Sequence, residues 1–221
     1  MSNDDPFSNP AVAPLADAVR RGDAGEIARL LERADADTAG SDGTTLLIEA
    51  IRRRQPASVQ ALLAGGADPN RANARGDTAV HVAAFSGDAA LLRAVLAGGG
   101  NPDARNPHTG ATPLVQALLS PDAGQFQVLL DAGADPDLGD HNDDTPLHVA
   151  ARTNNGGAIL ALLEAGAAPL AKNTGGATFQ SYYFSYRRGI LNDRALDERR
   201  RVVAWLKANG VPVEAGASAD G

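Results

Sequence analysis

The histidines carry the strongest potential for chemistry in this sequence, because the chain contains no cysteine. His108 and His141 lie 33 residues apart, and Asp140, Asp143 and Asp144 are close to the second of them. Imidazoles with nearby carboxylates can ligate zinc, which would suit a metal-dependent enzyme or regulator. Turn-forming loops also favour Asp, Asn and His, and this acidic stretch lacks the glycine and distal glutamate of a calcium loop. We therefore predict no metal and no cofactor, and the metal-dependent function is kept as the alternative.

The rest of the sequence offers no catalytic motif. Neither Gly-x-Ser-x-Gly nor His-Glu-x-x-His occurs, and the glycines at 98–100 follow a predicted helix, which is the wrong end for binding an anion. The net charge of −7 argues against a broad nucleic-acid footprint. The short arginine runs at 52–54 and 199–201 are predicted to be solvated helix faces. The chain is therefore predicted to be neither an enzyme nor a nucleic-acid-binding protein.

Hydrophobic runs in the sequence are short. None approaches the length of about 18 apolar residues that a membrane helix needs, so no membrane insertion is predicted. The first six residues lack the basic and apolar regions of a signal peptide. The expected compartment is therefore the cytoplasm, or the periplasm if a leader has been removed.

A regular period organises the whole chain. Two markers follow it independently: a threonine that opens each period, and a glycine that comes after an apolar run. Neighbouring threonines are separated by 33, 34, 33 and 33 residues. The threonines are Thr45, Thr78, Thr112, Thr145 and Thr178, and the glycines are Gly66, Gly99, Gly133 and Gly166. Two markers with one period indicate a solenoid of stacked structural repeats.

Each period has the composition of a helix–turn–helix unit. A turn with Gly or Asp precedes the threonine, which is a favoured N-cap residue, and proline follows that threonine in two copies. Larger apolar residues recur with helical spacing, as in Leu92, Val95 and Leu96, before a glycine suited to end the second helix. We predict an all-α fold. The predicted parts are an extended arm at 1–13, a repeat domain at 14–214 with repeats 14–40, 41–70, 71–103, 104–137, 138–170 and 171–214, and a flexible tail at 215–221.

The stretch Thr145–Ala151 reads Thr-Pro-Leu-His-Val-Ala-Ala, and partial copies of it begin at Thr45, Thr78, Thr112 and Thr178. It resembles the repeat pattern of ankyrin proteins, and the resemblance covers roughly residues 14–214. The resemblance implies an ankyrin-repeat solenoid of about six helix-turn-helix units, with β-turn fingers and terminal capping repeats. It also implies that the imidazoles of His81 and His148 brace the finger and the neighbouring repeat.

Ankyrin proteins typically bind partners on a concave face formed by finger tips and the exposed edge of the first helices. The resemblance therefore implies a non-catalytic protein-protein interaction module, monomeric when free. Apolar residues flanked by arginine have the composition of an interaction hot spot, so the partner is expected to present an acidic patch beside an apolar one. A purely structural adaptor with several weak partners is a further alternative. The expected partner-binding residues are Arg52, Arg53, Arg75, Asp77, Phe85, His108, Leu119, His141, Asn142, Asp144, Arg152 and Tyr186.

The last predicted unit departs from the repeat pattern. Residues 179–186 are rich in aromatic side chains, and Gly210 follows Gly166 by 44 residues, so about eleven are inserted, most simply within 187–194. This unit is interpreted as a C-terminal cap, and its insertion could also contact a ligand. The closing stretch resembles the last repeat of certain bacterial ankyrin proteins that act as immunity partners of secreted toxins. That resemblance implies an antitoxin-like inhibitor whose partner is a toxin or effector, either lipase-type or another hydrolase.

Overall fold

The computed structural model describes residues 5–120 and 124–214. Within these ranges it contains twelve α-helices, one short 3₁₀ helix and no β-strand. The all-α prediction is thus confirmed. The chain divides into two compact units, Met1–Gly133 and Ala134–Gly221, which are described separately. Part of the predicted arm, at 1–4, and the predicted tail at 215–221 lie outside the described residues.

The first unit consists of helix pairs stacked side by side. Its first helices (α1, α3, α5 and α7) pack against one another in sequence order, and its second helices (α2, α4, α6 and α8) form the layer behind them. The helices are α1 Ala13–Arg21, α2 Ala24–Leu31, α3 Leu46–Arg52, α4 Pro56–Ala64, α5 Ala79–Phe85, α6 Ala89–Ala97, α7 Pro113–Leu119 and α8 Gln125–Asp131.

Threonine caps explain where the first helices begin. The Oγ1 atom of Thr45 accepts a hydrogen bond from the Ile48 amide at 3.2 Å, and Thr112 accepts one from Val115 at 3.5 Å. Each bond satisfies one of the amides that an α-helix leaves unpaired in its first turn. Fully buried alanines, such as Ala83 on α5, then allow close packing between neighbouring first helices. The threonine period therefore sets the start of α3, α5 and α7.

Glycines end the second helices α4, α6 and α8, as the sequence predicts. Gly66 follows α4 with φ of +91°, in the left-handed region that an L-residue with a side chain rarely adopts. Its amide donates to the Leu63 carbonyl, and the next amide, of Ala67, donates to the Leu62 carbonyl. This pair of bonds closes the helix and turns the chain toward the next finger.

The N-terminal segment packs on the first unit through Phe7. Turns, rather than the predicted extended chain, occupy much of residues 6–12, and the Phe7 ring is 1% exposed. Arg20 lies over this ring at 5.6 Å and forms two hydrogen bonds with the Asp5 carboxylate, at 2.5 and 2.8 Å. The hydrogen bonds from Arg20 lower the pKa of Asp5 to about 2. The segment is therefore held by an aromatic anchor and an ion pair.

The second unit contains two longer helices behind two short ones. Helix α9 packs against α10 and α11, and α10 packs against α12. The helices are α9 Pro146–Arg152, α10 Gly156–Glu164, α11 Phe179–Tyr183 and α12 Asp193–Ala208, with a 3₁₀ turn at Arg188–Ile190. The predicted insertion thus corresponds to the connection between α11 and α12.

Arg199 corrects the prediction that the 199–201 run is a solvated face. The residue is 3% exposed, and its guanidinium donates to the carbonyls of Tyr186 and Phe184 at 2.9 and 3.2 Å. The guanidinium also lies 5.0 Å from the centre of the Phe184 ring. Carbonyl dipoles and an aromatic face replace the water that Arg199 loses on burial. This side chain therefore ties α12 to the segment that precedes the insertion.

Candidate functional site

A groove opens in the first unit where the first helices α3, α5 and α7 lie side by side. Its volume is about 510 Å³. We call it the first-unit groove, and its lining residues are Ile51, Arg52, Arg54, Asp77, His81, Val82, Phe85, Ser86, Gln116 and Ser120.

The floor of the first-unit groove is apolar. Ile51 is fully buried and Val82 is half-buried, whereas the Phe85 side chain is 51% exposed. Val82 and Phe85 are three residues apart on α5, so both side chains lie on the same helix face. A half-exposed phenylalanine beside an apolar floor is a surface onto which a partner side chain can pack.

Two arginines are among the residues that line this groove. Arg52, at the end of α3, donates to Thr44 Oγ1 at 3.3 Å, and its side chain is otherwise exposed. Arg54 adopts a left-handed conformation with φ of +52° and donates to the Ser86 carbonyl at 2.8 Å. The hydrogen bond from Arg54 joins the loop after α3 to the end of α5. Both guanidinium groups are accessible to an anionic group in the groove.

The finger beside the groove is held by amide side chains. Asn106 donates to the Arg75 carbonyl at 2.9 Å and to the Asp77 carboxylate at 2.8 Å. On the preceding finger, burial raises the pKa of Asp42, but hydrogen bonds from the amide and hydroxyl of Thr44 outweigh it and lower the pKa overall. These bonds fix the carboxylates at defined positions, so the groove combines two cations with one fixed anion, Asp77.

The two histidines of the repeat pattern brace neighbouring fingers. His81 Nδ1 accepts from the Thr78 amide at 3.2 Å, and its Nε2 lies 3.1 Å from the Ala111 carbonyl of the next finger. His148 repeats this geometry with Thr145, at 3.1 Å, and with Ala177, at 3.0 Å. Because one nitrogen accepts and the other must donate, each ring is a neutral Nε2–H tautomer. The bracing role predicted for His81 and His148 is confirmed.

The second unit contains a linked set of polar and aromatic side chains. Asp144 accepts hydrogen bonds from Arg152 at 2.5 Å and from Asn173 at 2.8 Å. Asn173 also donates to the Tyr182 hydroxyl at 2.9 Å, and Arg152 lies over the Tyr182 ring at 5.5 Å. The Tyr186 hydroxyl donates to the Arg152 carbonyl. These side chains thus connect the finger to helix α9 and to the segment just before the insertion.

Comparison with known proteins identifies this arrangement. The sequence profile of the family described as ankyrin repeats (3 copies) matches residues 15–106 and 80–173, which is more than half of the chain. The chain belongs to the ankyrin repeat family. Among solved structures, the ankyrin repeat domain of Bcl-3, a unique member of the IkappaB protein family, is similar with a TM-score of 0.76 and 28% sequence identity. The similarity covers 86% of this chain and 85% of that one. No curated protein matches the sequence.

Membership of the ankyrin family bears on function at a coarse level. Ankyrin repeats are protein–protein interaction modules and are generally non-catalytic. The prediction of a protein-binding ankyrin chain is confirmed at that level. No helix among the described residues has the length and apolarity needed to cross a membrane.

The structure brings three of the predicted partner-binding residues together in the first-unit groove: Arg52, Asp77 and Phe85. Leu119 is 51% exposed at the end of α7 but does not line this groove. Arg53 instead donates to Glu49 at 2.5 Å. Arg75 and His108 are exposed on finger tips of this unit.

In the second unit, the predicted residues differ in burial. His141, Asn142 and Arg152 are exposed, and Tyr186 is half-buried. Asp144 is only 6% exposed, and both of its carboxylate oxygens accept internal hydrogen bonds. Its carboxylate therefore positions Arg152 and Asn173.

Sequence reasoning missed several lining residues of the groove. On the first helices, the sequence analysis predicts partner contacts at the last positions alone, although Val82 precedes Phe85, and Gln116 precedes Ser120, by about one helical turn. Helical spacing alone could have added these two residues. Arg54 gave no such signal, because its reach to Ser86 depends on a left-handed backbone at a non-glycine residue.

The metal-dependent alternative depends on the finger-loop histidines. His108 lies in the first unit and His141 in the second, and both are exposed. Across residues 5–120 and 124–214, no group of three or more His, Cys, Asp or Glu side chains is arranged to hold a metal ion. The alternative of a metal-dependent function therefore gains no support from these residues.

Proposed function

We propose that this ankyrin chain is a non-catalytic protein-binding module whose main contact is the first-unit groove. One observation carries the proposal: Phe85 is half exposed in a groove with an apolar floor that Arg52 and Arg54 also line. In soluble proteins, an apolar surface of this kind beside arginines is typical of an interaction hot spot. On a chain with a net charge of −7, two exposed arginines in one groove are a local cationic site that can pair with an anionic partner group.

The partner expected for this groove presents an aliphatic or aromatic side chain next to a carboxylate. The apolar side chain would pack on Phe85 and Val82, and the carboxylate would pair with Arg52 or Arg54. A groove of about 510 Å³ accommodates a few side chains, so a projecting loop or peptide suits it better than a flat surface. Asp77 would repel a carboxylate at the finger side and so fix the orientation of the segment.

The other predicted residues supply secondary contacts in this proposal. In the first unit, Arg53, Arg75, His108 and Leu119 are exposed around the fingers and helix ends. In the second unit, the exposed residues Arg152, His141 and Asn142 and the half-buried Tyr186 could each meet a partner directly. Asp144 acts indirectly, by holding Arg152 in place.

For the biological role, we propose that the partner is a secreted toxin or effector, lipase-type or another hydrolase, which the chain inhibits as a bacterial immunity protein. The support is the resemblance of the closing stretch to the last repeat of bacterial ankyrin immunity proteins. A monomer acting in the cytoplasm or periplasm fits this role. An inhibitor needs only to cover an active site or an assembly surface, so the role requires no catalytic residue in this chain.

The proposal is tested by affinity capture from lysate of the source cells, with wild type beside Arg52→Ala/Phe85→Ala. A matched control is Arg93→Glu, which changes an exposed arginine on the second-helix layer. We expect one stoichiometric partner that the double variant loses and the control retains. Retention of the partner by all three baits would show that the first-unit groove is not the contact.

The immunity role is tested separately with the captured partner. If the partner is a hydrolase, its activity on a chromogenic ester is measured with increasing amounts of wild type and of the double variant. Inhibition by the wild type at a one-to-one ratio, and at least tenfold weaker inhibition by the variant, supports the role. A partner with no hydrolytic or toxic activity rules out the immunity role while leaving the protein-binding function intact.

A further inference from the structure

A short segment of the second unit is bound as an extended peptide would be. Residues 211–214, Val-Pro-Val-Glu, follow α12 and lie against α11. The Gln180 side chain donates through Nε2 to the Pro212 carbonyl at 3.0 Å and accepts through Oε1 from the Glu214 amide at 3.1 Å. This pairing of one side-chain amide with two backbone groups imitates a neighbouring β-strand.

The Glu214 carboxylate is recognised separately from the backbone of the segment. One oxygen accepts from Thr178 Oγ1 at 2.5 Å and the other from Ser181 Oγ at 2.9 Å. With residues 211–214 in place, Gln180 is 1% exposed and Thr178 is 7% exposed, whereas Ser181 is exposed at the edge of the site. Both carboxylate oxygens are therefore matched by hydroxyl donors, which a neutral or basic side chain at position 214 could not use equally well.

From this arrangement we propose that Thr178, Gln180 and Ser181 form a peptide-binding site for extended Pro-x-Glu segments, which a partner protein can occupy in place of residues 211–214. Every group that the site recognises belongs to Pro212 or Glu214, whereas the Val211 amide is bound to the Leu206 carbonyl of α12. The recognised part of the ligand is therefore the short sequence Pro-x-Glu. Proline fits at the second position because the site uses only its carbonyl, and proline also limits the entropy lost on binding. This inference is independent of the first-unit groove.

The chain's own segment competes with any partner for this site. A tethered segment has an effective concentration of about 1 mM or more, so a free peptide at micromolar concentration leaves wild-type protein unoccupied. A partner segment can displace it when that partner is also held elsewhere on the chain. The same effective concentration makes exchange of residues 211–214 between two free copies of the chain unfavourable.

The test uses the full chain with Glu214→Lys, which removes the internal carboxylate, and the labelled peptide acetyl-Val-Pro-Val-Glu-amide. Binding is followed by fluorescence anisotropy. For four hydrogen bonds to a short flexible peptide, a Kd of about 0.1–1 mM is expected. Wild-type protein should bind the peptide about two- to tenfold more weakly, because its own segment competes at an effective concentration of about 1 mM. A peptide with Gln in place of Glu should bind at least about tenfold more weakly, a difference equivalent to one charge-assisted hydrogen bond.

Controls separate recognition from loss of folding. Ser181→Ala in the Glu214→Lys background removes one hydroxyl from an exposed position and should weaken peptide binding about tenfold. Circular dichroism verifies the helix content of each variant, and Glu214→Ala replaces Glu214→Lys if the lysine unfolds α11. No saturable binding by a folded variant up to about 5 mM peptide would overturn the proposal. Equal binding of the Glu and Gln peptides would also overturn it. Wild-type dimerisation that Glu214→Lys abolishes would assign the site to a second copy and overturn the partner proposal.

Discussion

The Asp144 carboxylate provides a direct test of how the fingers are held in the second unit. Its side chain is 9% exposed and accepts a hydrogen bond from Arg152, whose side chain is 40% exposed, and another from Asn173. Burial by itself raises the pKa of Asp144, but the hydrogen bonds from Asn173 and Arg152 and the charge of Arg152 outweigh it and lower the pKa overall. The perturbation is Asp144→Asn, which keeps an acceptor for Asn173 and removes the charge opposite Arg152.

The expected loss in the free energy of unfolding follows from the interactions that Asp144→Asn removes. A hydrogen bond to a charged group contributes about 1.5–3 kcal/mol, and the exposure of Arg152 to water reduces this, so we expect a loss of about 1–2 kcal/mol at pH 7. A carboxylate with a lowered folded pKa contributes stability above its unfolded pKa of about 3.9, and that stability is lost as pH falls through the folded pKa. The difference between wild type and Asp144→Asn should therefore shrink at the acid end.

The assay is urea unfolding followed by Trp205 fluorescence, because the only tryptophan of the chain lies on α12 of the same unit. Asp143→Asn is the matched control: it removes the same charge from an exposed residue with φ of +57°, a conformation that asparagine tolerates. The control should change stability by less than about 0.5 kcal/mol. If Asp144→Asn costs no more than Asp143→Asn, or if its cost is the same at pH 3 and pH 7, the reasoning is wrong.

Three further predictions concern stability in the first unit. Phe7→Ala should lower the free energy of unfolding by about 3–5 kcal/mol because the ring is fully buried, whereas Phe85→Ala should lower it by less than about 1 kcal/mol. Equal losses for the two variants in urea unfolding would contradict the anchoring of the N-terminal segment by Phe7. Thr45→Ala should cost about 1 kcal/mol through the lost N-cap and Thr45→Ser much less, which thermal unfolding of the pair can check. Burial lowers the pKa of His81, and the hydrogen bond with the Ala111 carbonyl opposes this effect only in part. The contribution of His81 to the free energy of unfolding should therefore be complete above the unfolded pKa of about 6.5. Below that pH the contribution should fall, because the imidazole takes up a proton more readily in the unfolded chain. Replacing His81 with Asn should remove part of that pH dependence in unfolding measured between pH 7.5 and 5.5.

The fold was predictable because its determinants are local and repeated. Thr45 and Thr112 cap helices through bonds within three residues, and Gly66 ends a helix through its own φ. Such features depend on a few neighbouring residues, so they leave a period in the sequence. The bracing by His81 was predictable through the family resemblance, since its second bond reaches Ala111, 30 residues away.

The features that escaped prediction depend on contacts between distant residues without a repeated pattern. Arg199 looks like part of a charged helix face, but it is buried because the segment after α11 brings the carbonyls of Phe184 and Tyr186 to it. Arg54 reaches Ser86 only because its backbone turns into the left-handed region. The Gln180 contact with residues 212–214 joins two parts of an atypical unit. Each requires knowledge of the chain path, which composition and spacing do not contain.

The division between buried links and exposed helix ends explains how such a chain can acquire a partner without losing its fold. Stability in each unit comes from buried apolar residues and from polar links between fingers, such as His81 with Ala111 and Asn173 with Asp144. The exposed side chain of Phe85 belongs to neither set, so replacing it should alter the groove at little cost in stability. A partner-binding surface built from such positions can change independently of the fold, whereas a change at Asp144 affects both, because its carboxylate holds Arg152.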